Sequence, residues 1–327
     1  MKALVCRAYG PLDALAVGEL PDPKALAGQV VVAVKACGVN FPDLLVVQGK
    51  YQFKPPPPFA PGGEVAGVVE AVGAGVEGFR VGDRVVAMGI WGGLAQKMAA
   101  DAGQVVKIPD GVDFVRASCV ATAYGTTVHA LRDRADLKKG ETLLVLGAAG
   151  GVGLAAVQVG KRMGARVIAA ASTPEKLETC RANGADLLVN YAKDDLKERV
   201  KALTDGAGAD VVYDPVGGPY TEAALRATAW NGRFLVVGFT AGEIPKVPTN
   251  LVLLKGCALV GVFWGQALLR DRARLVGQIE EVLGWVQEGT ITPHVHATYP
   301  LARALDALRE VEGRRVQGKV VVVPGDA

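Results

Sequence analysis

The run Gly147-Ala148-Ala149-Gly150-Gly151-Val152-Gly153 follows a wholly apolar segment, 142–146, and leads into small and apolar residues over 152–163. Small side chains at this spacing, between a strand and a helix, suit a dinucleotide pyrophosphate. The turn has to be tight, the backbone has to approach the phosphates closely, and the helix has to pack hard against its strand. The amides at the helix start then donate to the anion, which selects Gly150, Gly151 and Val152 as phosphate contacts. Ala148 stands at the first glycine of GxGxxG, so the pattern reads AxGxxG. Its specificity comes from the strand before it and the helix after it. A glycine-rich turn without a ligand is the alternative.

A second chemical position lies at the end of the next strand. Sites for NAD set a carboxylate there, ~20 residues on, to accept from the adenosine ribose hydroxyls. Here the strand ends Val167-Ile168-Ala169-Ala170-Ala171; Ser172, Thr173 and Lys176 follow, with Tyr191 after the third strand. Removing a carboxylate and adding hydroxyls and an ammonium suits a ribose 2′-phosphate by Coulomb's law. NADPH is therefore expected over NADH, although Lys176 alone would also serve as a solvated helix residue.

These positions need a scaffold. From about residue 116, apolar runs at 142–147, 166–171, 186–190, 209–214, 233–238 and 257–263 alternate with helical stretches at 152–163, from 174, around 196–203, 220–229 and 268–287. Continuous apolar strands alternating with helices predict a parallel sheet covered on both faces, here a doubly wound nucleotide-binding domain. Residues 1–115 have another texture: short β-branched runs (29–36, 64–72, 83–88, 104–108) broken by Gly and Pro, which predict a strand-dominated, antiparallel domain. Within it, 40–63 holds four consecutive prolines at 55–58 and reads as a loop, either a stiff connector or one wall of a cleft. The tail returns to strand texture, and its last run, 319–323, is apolar enough to pair inside the first domain. The nucleotide domain, 116–289, is thus expected as an insertion between 1–115 and 290–327.

With 327 residues, half of them hydrophobic and 21% charged, the chain fits a folded globular protein of about two domains. Its 36 basic against 33 acidic residues leave +3, a poor electrostatic footprint for duplex nucleic acid. No run approaches the ~20 apolar residues of a membrane span. The N-terminus enters a strand-like segment with no signal-peptide core. Five isolated cysteines, Cys6, Cys37, Cys119, Cys180 and Cys257, form no CxxC pair and suit a reducing compartment. The cytoplasm is the expected setting.

Five motifs extend the reading: Cys37-Gly38-Val39-Asn40-Phe41-Pro42-Asp43, Pro61-Gly62-Gly63-Glu64-Val65-Ala66-Gly67, Val81-Gly82-Asp83-Arg84-Val85, 148–153, and Asp214-Pro215-Val216-Gly217-Gly218. With them the chain resembles, over nearly its whole length, the medium-chain dehydrogenase/reductase superfamily, and in particular its zinc-free quinone oxidoreductase (zeta-crystallin-like) branch. The resemblance implies an α/β fold in which a doubly wound parallel Rossmann sheet is inserted in a mostly β, GroES-like catalytic domain. The zinc-dependent alcohol dehydrogenases of this superfamily place a cysteine where Asn40 stands and a histidine where Gly63 stands. Both ligands are missing, as is the four-cysteine structural zinc lobe, and neither Asn40 nor Gly63 replaces such donors. Cys119 lies near the third ligand's position, displaced by one residue among apolar neighbours, and reads as a buried structural thiol. The His294-x-His296 pair shares one strand face but has no third ligand nearby in sequence.

Without a metal to polarise an alcohol, what remains is hydride delivery from NADPH to an acceptor that is already electrophilic, a quinone or an enone. The resemblance places Tyr51 beside the nicotinamide, and in related enoyl-thioester reductases the matching tyrosine acts in catalysis. Asn40 and Asp43 fall in the loop replacing the zinc-ligand segment and are expected to fix the nicotinamide ribose or the acceptor oxygen. A turn asparagine and a helix-capping acid are their structural alternatives. Thr127 and Arg314 resemble further cofactor contacts of the family. Gly238, Phe239, Thr240, Val262 and Phe263, at the ends of the fifth and sixth strands, are expected to line the nicotinamide pocket. The family fold implies a homodimer in which the edge strand 258–263 pairs across the two-fold. Two rivals stand beside this reading. One is an enoyl-thioester reductase in which Tyr51 supplies the proton. The other is a non-catalytic NADPH-binding protein like the crystallin relatives, touching RNA through a modest basic surface.

Overall fold

The computed structural model describes residues 1–325, and the chain divides into two units, Met1–Thr122 with the chain from Leu268 on, and Ala123–Ala267. The first unit contains β1 (Lys2–Val5), β2 (Ala16–Glu19), β3 (Gln29–Val39), β4 (Glu64–Val72), β5 (Arg84–Met88), β6 (Lys97–Asp101) and β7 (Val105–Lys107). The second contains β8 (Thr142–Val145), β9 (Arg166–Ala171), β10 (Leu187–Asn190), β11 (Ala209–Asp214), β12 (Thr228–Val236) and β13 (Ala258–Gly261). The chain then returns to the first unit for β14 (Val295–Pro300) and β15 (Lys319–Val323).

In the first unit β3 is the spine, because its run QVVVAVKACGV is buried along most of both faces. The sheet runs β14-β15-β3-β4-β5-β7, with β6 also on β3. β6 takes β3 residues 29–33 and β15 takes 37–39, so the two share one edge of the spine end to end. Val30, Val32, Val34, Val65, Val85, Val320 and Val322 fill the core between this sheet and the helix Ala304–Glu312. The register sets Val320 opposite Val39. Lys319 is thereby brought to the point where β3 ends and the chain turns into Asn40.

The second unit is a six-stranded parallel sheet in the order β10-β9-β8-β11-β12-β13. Connections run outward from β8 to β10, then jump back across β8 to β11. The strand order reverses between β8 and β11, and ligands of open α/β sheets bind at such switch points, beyond the carboxyl ends of the strands. The short apolar segments are fully buried (Leu143, Leu144, Val145, Ile168, Val211, Val212), as a sheet packed on both sides requires.

Two local expectations are corrected, and one strand, β6, comes in addition to those expected. The stretch 40–63 is not irregular throughout: Phe41–Val47 is a helix, started by the Asp43 carboxylate accepting from the Asn40 amide and by Pro42 in the first turn, with Leu44, Val46 and Val47 buried. β6 has a weak strand sequence, KMAAD, and becomes one because β3 offers it an open edge. The single long helix expected over 268–287 is two, Trp264–Arg270 and Arg272–Gln287, broken at the non-helical Asp271. The second of these goes with the first unit rather than the nucleotide unit, tied there by Arg272 to Asp101 at 3.0 Å and by Gln287 to the Asp110 carbonyl at 3.1 Å.

Candidate active site and cofactor site

In the second unit the chain leaves β8, turns through 147–150 and enters the helix Gly151–Arg162. The Gly150 amide closes the turn on the Gly147 carbonyl at 3.0 Å, and the first intrahelical bond is from Leu154 to the Gly150 carbonyl at 2.8 Å. The amides of Gly151, Val152 and Gly153 therefore have no acceptor within the helix, which is the donor set an anion needs. Gly153 has to be glycine: a Cβ there would lie 2.3 Å from the Gly147 carbonyl oxygen. Thr127, expected as a cofactor contact, is fully buried beneath this turn. Its hydroxyl lies 3.4 Å from the Val152 carbonyl and 3.1 Å from the Tyr213 hydroxyl. It supports the turn from below rather than presenting a group at its surface.

Beyond β9 and β10 the structure gathers Ser172, Thr173, Lys176 and Tyr191 at one corner. Ala171 ends β9, and Ser172, Thr173 and Lys176 are half-buried around the start of the helix Pro174–Ala182. Thr173 caps that helix, its Oγ1 accepting from the Lys176 amide at 3.3 Å. Tyr191 donates its amide to the Ala171 carbonyl at 3.2 Å, and its ring packs on Tyr220 at 4.4 Å.

The ends of β11, β12 and β13 form a third group. Asp214 is buried, and its carboxylate accepts from the amides of Val216 (2.9 Å) and Gly217 (2.8 Å) and from the Thr221 hydroxyl (2.9 Å). Burial pushes this carboxyl up, against those three donors. It fixes the loop 215–218, on which 238–240 rest: Thr240 donates from both Oγ1 and its amide to the Pro215 carbonyl at 3.1 Å, and the Phe239 ring is close enough to Gly217 that a Cβ there would lie 2.9 Å away. Val262 is buried, and Phe263 is 43% exposed.

The first unit holds a buried polar cluster at the head of the helix Phe41–Val47. The Asn40 side-chain amide donates to the Gly38 carbonyl at 3.1 Å and to Glu64 Oε2 at 2.9 Å, and its Oδ1 accepts from Lys319 Nζ. Both amide hydrogens are committed inside the protein, leaving one lone pair of Oδ1. Lys319 Nζ also donates to the Val39 carbonyl at 3.0 Å and lies 3.6 Å from Glu64. Glu64 completes its set by accepting from the Thr122 amide at 3.2 Å. Asp43 accepts from the Asn40 amide at 2.7 Å. Burial lifts its carboxyl to about 7, opposed by the Asn40 amide and the Lys319 charge and assisted by Glu64. Tyr51 is half-buried against the same core, its ring 6.1 Å from that of Phe53. Burial and the nearby Asp43 charge both raise its phenol. Arg314 lies in a left-handed turn (φ 56°) after the helix Ala304–Glu312.

Sequence reasoning missed Lys319, Glu64 and Asp214 as members of these buried polar clusters. A lysine opening the run KVVVV was the available signal, since an ammonium in a core strand needs a partner. The zinc fit also fails on residues: a Cβ at Gly63 would lie 2.8 Å from the Gly89 carbonyl oxygen, so no side chain fits there without a backbone shift. Cys119 is fully buried, with its thiol on the Val115 carbonyl at 3.3 Å. Among the described residues no group of three His, Cys, Asp or Glu side chains is placed to hold a metal.

Comparison with known proteins agrees with this fold. Residues 26–110 match the alcohol dehydrogenase GroES-like domain, and 151–286 match the family described as zinc-binding dehydrogenase. The chain is 39% identical over 302 residues to quinone oxidoreductase-like protein 2 of Rattus norvegicus, covering 92% of this chain and 86% of that protein. It is 34% identical to a quinone oxidoreductase of Pseudomonas aeruginosa across 99% of both chains. The crystal structure of Escherichia coli quinone oxidoreductase complexed with NADPH superposes with a TM-score of 0.91 at 29% identity, covering 99% of this chain and 100% of that one.

Proposed function

The chain belongs to the medium-chain dehydrogenase/reductase superfamily, in its quinone oxidoreductase branch, and we propose that it is a zinc-independent, NADPH-dependent reductase of quinones or related activated alkenes. One observation carries this reading. Where the zinc-dependent members hold their metal, this chain has an amide locked by Gly38, Glu64 and Lys319 and a glycine with no room for a side chain. An acceptor here has to be electrophilic on its own.

The residues divide the work. The amides of Gly151, Val152 and Gly153 hold the pyrophosphate, the Gly150 amide being spent on closing the turn, and Ser172, Thr173, Lys176 and Tyr191 take the ribose 2′-phosphate that the acid-free end of β9 admits. Gly238, Phe239, Thr240, Val262 and Phe263 line the nicotinamide. NADPH, when bound, supplies the hydride. Asp43 and Tyr51 orient the acceptor, with Asn40 as the fixed point behind them, and orientation is the main catalytic contribution. The phenolate left on a reduced quinone is stable enough to take its proton from solvent. Oxidation of NADPH, followed across a panel of quinones and enones with zinc content measured in parallel, tests the proposal. No oxidation of NADPH or NADH by any acceptor, or zinc required for turnover, overturns it.

A second reading has its own support in Tyr51, a half-buried phenol beside Phe53 that carries a proton to give. It predicts turnover of crotonyl thioesters that collapses in Tyr51→Phe, with weak quinone reduction. We also propose a homodimer. β13 is the last strand of its sheet, with Leu259 exposed, and Leu253 and Leu254 of the helix Thr249–Lys255 are exposed as well. Light scattering that gives a monomer overturns this. The proposed setting is the cytoplasm, consistent with five unpaired, buried cysteines; no helix among the described residues is long and apolar enough to cross a membrane.

A further inference from the structure

Lys319 is 5% exposed and opens a strand otherwise made of valine. Taking an ammonium out of water is costly unless its donors are answered. Here the donors face the Val39 carbonyl, Asn40 Oδ1 and, at 3.6 Å, Glu64. The contacts are directional. Asn40 cannot turn its amide over, because that would place Nδ2 hydrogens against the ammonium and Oδ1 against the Glu64 carboxylate. The same residue donates its backbone amide to Asp43 at 2.7 Å. The last strand of the chain is thus linked, through one asparagine, to the acid at the start of the helix Phe41–Val47.

We propose that Lys319 is a positioning residue for the reductase reaction, acting through Asn40 and Glu64 on the Asp43 carboxyl. This rests on the reductase reading above. Its chemical sense lies in the charge that develops during turnover. Hydride addition brings two electrons to the acceptor and leaves its oxygen negative until solvent supplies a proton. A neutral Asp43 tolerates that charge; an ionised Asp43, whose field already reaches Tyr51, opposes it. Burial lifts the Asp43 carboxyl to about 7; around that value the ammonium of Lys319 favours its ionised form and Glu64 disfavours it, so the pair trims the point at which it changes state.

Other titratable groups face the cluster. Cys37 on β3 is pushed well above its ordinary value by burial and by the Asp43 and Glu64 charges. Cys119 is pushed up to about 12, chiefly by burial. His294, whose carbonyl accepts from the Lys319 amide, is drawn down by burial and by His296. The thiols stay neutral over the range in which Asp43 changes.

The test compares the intact protein with Lys319→Met, Lys319→Arg, Glu64→Gln and the double variant Lys319→Met/Glu64→Gln. Carbon-13 NMR follows the Asp43 carboxyl, identified by its loss in Asp43→Asn, and kcat/KM for NADPH-dependent quinone reduction is measured against pH. Removing the ammonium should raise the Asp43 midpoint by about one pH unit, and removing Glu64 should lower it by a similar amount. The double variant should fall between the two singles, and Lys319→Arg should stay near the parent. The alkaline limb of kcat/KM should move in the same order. If Lys319→Met does not fold, the double variant, which removes both buried charges together, takes its place and must lie above Glu64→Gln. Asp43 midpoints that coincide in all folded variants, or alkaline limbs that ignore them, overturn the proposal. Ordered midpoints in a protein inactive on every quinone and enone overturn the reductase reading instead.

Discussion

The two chemically equipped regions are built from different material. At the glycine turn of the second unit the candidate donors are peptide amides, presented by a tight turn and a helix start in which position 153 has no room for a Cβ. At the head of the helix Phe41–Val47 they are side chains, with Asn40 and Asp43 from one stretch, Glu64 from β4 and Lys319 from β15. The first region depends on the absence of side chains and the second on their mutual satisfaction. A backbone site fails when something is added to it, and a buried polar site fails when one partner is taken away.

The sharpest way to break the first region is therefore to add a methyl group. In Gly153→Ala the new Cβ would meet the Gly147 carbonyl oxygen at 2.3 Å and the Ala148 backbone at 2.8 Å. NADPH affinity should fall by about 100-fold, read by fluorescence titration. Unchanged affinity would show that the turn does not hold the pyrophosphate.

For the second region the handle is pH. The Asp43 carboxyl is raised from 3.8 to about 7, chiefly by burial. An acid whose folded value is raised lends stability that is complete below its unfolded value and lost as pH rises through its folded value. The parent should lose stability from about pH 4 to about pH 7, by up to about tenfold in the folding equilibrium per pH unit. Asp43→Asn should flatten that slope in urea midpoints measured across the window. A slope that persists in Asp43→Asn would place the titration elsewhere.

Lys176→Ala sharpens the cofactor side. It should weaken NADPH binding by about fivefold to tenfold while leaving NADH nearly unchanged, because only the former carries a 2′-phosphate. Equal losses for both would remove the phosphate role. The smallest effect is expected from Thr127→Val, which removes the hydroxyl between Val152 and Tyr213 under the turn. About threefold weaker NADPH binding should accompany a loss of about 1 kcal/mol in unfolding free energy. A much larger loss of affinity with stability intact would mean that Thr127 touches the cofactor directly.

The amino-acid sequence by itself determined the nucleotide unit in some detail. Apolar strands, the run Gly147 to Gly153, and Ala171 in place of an acid are local patterns, and hydrogen bonding within a few residues turns the run into a strand-turn-helix. Asn40 and Asp43 were singled out through the motif around them and Tyr51 through the family resemblance. The partners of Asn40 were decided only by tertiary structure. Glu64 is 24 residues away and Lys319 is 279. What joins them is the register of β15 and β4 on the two edges of β3, a set of long-range hydrogen bonds. β6 and the helix Arg272–Gln287 were decided in the same way, the one by an open edge and the other by the surface that bound it. Periodicity reports which face of a segment is buried, but burial of a charge depends on what other segments bring to it, and that is settled only when the sheet closes.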